Sequence, residues 1–97
     1  MFIRFTMFSK DNEQIARDFI VSVSKVFPDY TFYYCHAENK TVYFSVNADM
    51  TMNELAYELR TIRNKLNKDN DWIYKNIKII TVLTNKQYYD GGFDKKG

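Results

Sequence analysis

The sequence predicts a single α+β domain: one four-stranded antiparallel sheet with two helices packed on one face. Three observations carry this. Alternating apolar residues mark a strand near each end of the chain, and two stretches with three- and four-residue apolar spacing mark helices. Between the helices, Tyr30 to Asn47 reads as two strands joined by a polar turn, and it concentrates Tyr30, Phe32, Tyr33, Tyr34, Tyr43 and Phe44. Ninety-seven residues suit one domain, and the 18% aromatic content supplies large buried area for so short a chain.

The elements follow in order. In Met1 to Phe8, Ile3, Phe5 and Met7 share one face, taken as inward, while Phe2, Arg4, Thr6 and Phe8 share the other. Ser9 or Asp11 can cap the next element. From there Ile15, Ala16, Phe19, Ile20, Val23 and Val26 recur at helical spacing opposite Arg17, Asp18, Ser22 and Lys25. This helix must end near Val26, because Pro28 disfavours helical geometry at Phe27. Tyr30 to Ala37 forms the first hairpin strand, and its aromatic content leaves its inward parity open. Glu38-Asn39-Lys40 is the turn. Thr41 to Val46 then alternates, with Val42, Phe44 and Val46 inward and Tyr43 expected to be exposed.

The second helix opens on Thr51-Met52-Asn53-Glu54, a capping box. Met52, Leu55, Leu59, Ile62 and Leu66 give its apolar stripe, and Asn67 is read as its stop. Ile77 to Leu83 is a β-branched last strand. The domain is thus expected over 1–84, with 85–97 as a mobile tail. Tyr88, Tyr89 and Phe93 within that tail are rings that could dock on the body or on a partner.

The order β-α-β-β-α-β, two βα units around a hairpin, is that of a ferredoxin-like sandwich. Right-handed crossovers place both helices on one face, with the strands from Met1 and Thr41 central. The other sheet face then needs cover from the tail or from another chain.

Much chemistry is excluded. The single cysteine, Cys35, allows no internal disulfide, and no signal peptide or membrane-length apolar run is visible, so a cytoplasmic protein is expected. Cys35 and His36 are adjacent, but neighbours on a regular strand face opposite ways, so no nucleophile–base pair is expected. Glu54 is accounted for by the cap, and Asp69 and Asp71 by a connector. No phosphate-cradling glycine loop or metal-ligand spacing is present, and the reading is a protein without catalytic residues, cofactor or metal. Known families built on this fold are marked by features absent here. An RNA-recognition domain has glycines in its third strand. Metal-binding and acylphosphatase domains have their cysteines or arginine after the first strand.

Surfaces remain. The uncovered sheet face is expected to present Arg4, Phe8 and Tyr43, with Tyr33 or Tyr34 according to parity. Rings and arginine are enriched at interface centres. The second helix carries Arg60, Arg63, Lys65 and Lys68 towards its C-terminal end, where the helix dipole favours cations. The expected function is therefore a small protein-binding module acting through the open face or an edge strand. The expected partner is a larger host factor, or a second copy in a homodimer, and no membrane is involved. By analogy with small, motif-free domains of AT-rich genomes, this suits a phage or mobile-element protein that inhibits or modulates a host protein. The alternative is nucleic-acid binding through the same face and the basic helix end, against which the net charge of only +2 weighs.

Overall fold

The computed structural model describes residues 1–10 and 13–92, so Asp11 as a cap and Phe93 as a docking ring lie outside the described residues. The chain runs β1 (Phe2–Met7), α1 (Glu13–Val26), β2 (Thr31–Glu38), β3 (Thr41–Asn47), α2 (Met52–Asp69) and β4 (Ile77–Leu83). A single helical turn, α3 (Asn85–Gln87), and a π-helical turn, Tyr88–Gly92, follow. All strand pairs are antiparallel and the sheet order is β2-β3-β1-β4, so β1 and β3 are central and β2 and β4 are edges.

Both helices pack on one sheet face. Ile3, Phe5 and Met7 of β1, Val42, Phe44 and Val46 of β3, and Ile80 and Val82 of β4 meet Ala16, Phe19, Ile20 and Val23 of α1 and Leu55, Ala56 and Leu59 of α2. The expected parity of β1 and β3 holds because a side-chain period of two commits each strand to one register once one face is apolar. Phe5 sits at the centre, edge-on to Phe19 and Phe44 at ring separations of 5.6 and 5.7 Å. The undecided parity of β2 is resolved: Phe32 and Tyr34 pack towards this core.

The start of α2 is as its sequence dictates. Thr51 Oγ1 accepts from the Glu54 amide at 3.1 Å, and Glu54 Oε1 accepts from the Thr51 amide at 3.0 Å. Its end is not. Asn67 does not stop the helix, which runs to Asp69 with Asn70 as its cap. Asn67 is instead buried, and its Oδ1 accepts from the Tyr74 amide at 2.7 Å while its carbonyl accepts from the Trp72 amide at 2.7 Å. These bonds hold a tight connector in which Asp71 and Trp72 take left-handed φ values of 56° and 61°. Left-handed geometry is costly for a bulky residue such as tryptophan. The connector's product is Tyr74, driven into the core edge-on to Phe19.

Part of the second sheet face is closed by the chain itself. Where a mobile tail is expected from residue 85, Thr84-Asn85-Lys86-Gln87 forms a second capping box. Thr84 Oγ1 accepts from the Gln87 amide at 3.0 Å and Gln87 Oε1 accepts from the Thr84 amide at 2.8 Å. The turn delivers Tyr88 flat onto Phe2, with ring centroids 3.8 Å apart and planes 6° from parallel. Phe2, Tyr43, Leu83 and Tyr88 form a small second core, with Cys35 packed against it.

Candidate partner-binding surfaces

Backbone direction decides what each sheet edge offers. The Met7 amide bonds Lys40 O and the Val46 amide bonds Met1 O, so odd-numbered β1 residues turn their backbone groups to β3 and even-numbered ones turn to β4. Through the pairings of Thr6 with Ile79 and Arg4 with Thr81, Ile79 and Thr81 face β1. Lys78, Ile80 and Val82 therefore face outward from the β4 edge. By the same alternation, Thr31, Tyr33 and His36 face β3, and Phe32, Tyr34 and Ala37 face outward from the β2 edge.

The two edges are treated differently. At β4, Arg60 Nη2 donates to Ile80 O at 3.0 Å and Arg63 Nη1 donates to Lys78 O at 3.3 Å. Burial, then the neighbouring Arg60 charge, draws the Arg63 guanidinium below its ordinary value. Helix α2 thus lays two cations along this edge, a device that discourages strand addition. Arg60 and Arg63, expected as a basic surface for a partner, each also bond a β4 carbonyl, and Arg60 stays exposed. At β2, the outward backbone groups of Phe32, Tyr34 and Ala37 have no hydrogen-bond partner among the described residues. The strand carries no Lys, Arg, Asp, Glu or Pro from Tyr30 to Ala37. The devices that usually blunt an edge are missing from this stretch, apart from a bulge.

That bulge lies between Tyr34 and His36, where Tyr34 pairs with Phe44 and His36 with Tyr43, leaving Cys35 as the extra residue. It overturns the expectation that Cys35 and His36 face opposite ways. His36 stacks on Tyr43 at 4.6 Å and 7°, and its Nδ1 lies 3.2 Å from the Tyr88 hydroxyl. Cys35 packs on the same face. Burial, and next the Cys35 thiol beside it, push the Tyr88 phenol up to about 12. The cluster pins the C-terminal turn to the sheet.

The expected contact residues are thereby sorted. Tyr43 does face away from the helices, but it is 3% exposed under His36 and Tyr88, so it is not an exposed ring. Tyr34 is not on the second face. It lies on the helix side, where its hydroxyl donates to Glu13 Oε1 at 2.9 Å and the Arg17 guanidinium sits 3.8 Å from the ring centre. The Arg17 bond, then the Tyr34 bond, hold the Glu13 carboxyl below the usual carboxylate range. Arg4 is half-buried on the second face, cross-strand from Tyr43 and Thr81. Phe8 is exposed beyond the end of β1, beside a cleft of about 440 Å³ that it shares with Ile15, Ile73 and Lys75. Tyr33 also stays open, 64% exposed on the second face of the β2 edge.

Two features escaped sequence reasoning. The capping box at Thr84 has the Thr-x-x-Gln signature and was there to be found. The Cys35 bulge has no comparable mark. Among the described residues, no group of three His, Cys, Asp or Glu side chains could hold a metal ion, and no helix is long and apolar enough to cross a membrane. No protein-family model, curated protein or solved structure matches the chain. Fold and surface together define a small α+β domain with one guarded and one unguarded sheet edge.

Proposed function

We propose that this chain is a non-catalytic protein-binding module that takes an extended polypeptide strand onto the β2 edge of a ferredoxin-like sandwich. The fold name is supported by the β-α-β-β-α-β order, the strand order β2-β3-β1-β4 and the shared helix face. The observation that carries the function is the contrast between edges: Arg60 and Arg63 occupy two outward carbonyls of β4, those of Ile80 and Lys78, while those of Phe32 and Tyr34 stand open. In strand addition, main-chain bonds supply affinity and alternate side chains supply selectivity. Here the selective groups are Tyr33 on one side and the Phe32–Tyr34 pair on the other.

The test uses immobilised full-length protein exposed to a lysate of the native host. Ala37→Pro removes an outward amide at an exposed position, and Tyr33→Lys places a cation on the edge; both leave the core untouched. Tyr57→Lys, on the exposed face of α2, is the control. Both edge variants are expected to lose the proteins that wild type and control retain, with unchanged circular dichroism. Retention by both edge variants would overturn the β2 reading.

A further inference from the structure

We infer that the strand received by the β2 edge is β2 of a second copy of this chain, joined about a two-fold axis through Tyr33 to give one continuous sheet. The inference rests on the strand-addition reading and names its partner. It follows from which two-fold registers the edge permits.

An antiparallel self-pairing must set outward-facing residues against outward-facing residues. In the straight part of β2 before the Cys35 bulge, these are Phe32 and Tyr34. An axis at Tyr33 pairs Phe32 of each copy with Tyr34 of the other, which closes about four backbone hydrogen bonds. An axis at Phe32 would require the Tyr30 amide, which already bonds Phe27 O at 3.1 Å. An axis at Tyr34 runs at once into the bulge. The Tyr33 axis therefore satisfies every outward backbone group of the straight stretch. It leaves none of them over for a second, foreign strand.

Side chains and charge agree. At the axis the two Tyr33 residues form a non-hydrogen-bonded pair, the geometry in which cross-strand side chains come closest. Two rings that are each 64% exposed would then cover one another. On the helix side the flank is the Glu13–Arg17 ion pair, 2.7 Å apart, which carries no net charge to repel a copy of itself. No Lys, Arg, Asp or Glu lies between Tyr30 and Ala37 to oppose its own image.

The experiment uses the full chain. Sedimentation equilibrium over a range of concentrations is expected to show a monomer–dimer equilibrium. Tyr33→Lys should weaken it at least tenfold and Tyr57→Lys should not. Register is read by cross-linking: Tyr33→Cys in a Cys35→Ser background places two thiols at the axis, within disulfide reach. It is expected to give a covalent dimer on mild oxidation, whereas Thr31→Cys in that background is not. A strict monomer overturns the inference, as does a dimer that cross-links through Thr31→Cys and not Tyr33→Cys. If the monomer still loses lysate partners on Tyr33→Lys and Ala37→Pro, the strand-addition reading stands and only its partner is wrong. If the protein is monomeric and its captured partners are indifferent to both edge variants, the strand-addition reading falls as well.

Discussion

Removing the Tyr88 ring isolates the C-terminal turn from the rest of the fold. The ring lies 3.8 Å from Phe2, meets Tyr43 edge-on at 5.7 Å and is 6% exposed. An aromatic side chain buries roughly 200 Å². At about 25 cal/mol per Å² that burial is worth about 5 kcal/mol as an upper bound. Part of this is returned when the ring is lost. Release of about two residues beside Tyr88, at about 1–2 kcal/mol each, returns roughly 2–3 kcal/mol. Tyr88→Ala should therefore cost about 2–3 kcal/mol. Tyr88→Phe keeps the stack but loses the hydroxyl contact with His36, and should cost about 1 kcal/mol. Tyr89→Ala, at a ring 64% exposed, should cost less than about 1 kcal/mol. Urea unfolding followed by far-ultraviolet circular dichroism gives all three values. Equal losses for Tyr88→Ala and Tyr89→Ala would refute the docking of this turn on Phe2.

Other outcomes follow from the same contacts. Thr51→Ala should lower stability by about 1 kcal/mol through loss of the α2 cap, measured by the same unfolding. Bonds from the Thr51 backbone and then its side chain hold the Glu54 carboxyl low, so this carboxylate's contribution is present above its ordinary range and fades as pH falls through its depressed value. Arg60→Ala with Arg63→Ala uncovers the β4 edge. The pair should cost about 1–2 kcal/mol and raise light scattering at high concentration, and a double variant as soluble and stable as wild type would contradict the guarding role. The fold favours the protonated Tyr88 phenol, so docking of the C-terminal turn should persist below the ordinary phenol value and be lost as pH rises through about 12. Spectroscopic titration of wild type against Tyr88→Phe reads that late phenol directly, and identical curves would contradict it.

The layer architecture was legible because β1 and β3 alternate cleanly and because Thr51-Met52-Asn53-Glu54 announces its helix. Both are local patterns with one structural solution each. The site was less legible for physical reasons. The alternation of β3 gives the side of Tyr43 but not its exposure, since what covers it, Tyr88, lies far along the chain and arrives through a three-residue turn. Tyr34 and Tyr33 could not be told apart in a strand aromatic on both faces. The Cys35 bulge, one extra residue, turned two neighbours onto the same face. The bonds of Arg60 and Arg63 to the sheet are hidden in the sequence because their acceptors, β4 carbonyls, carry no sequence signal. An arginine's partner is legible when it is another side chain and much less so when it is backbone.

The central claim is that the β2 edge is an interaction surface, and amide hydrogen exchange at Phe32 and Tyr34 tests it most directly. In dilute protein these outward amides should exchange rapidly, while the neighbouring Tyr33 amide, turned towards β3, exchanges slowly. On raising the protein concentration, both should become protected together, with no change at exposed residues of α2. Phe32 and Tyr34 amides that are already slow in dilute protein, or that stay fast once a complex has formed, would contradict the account.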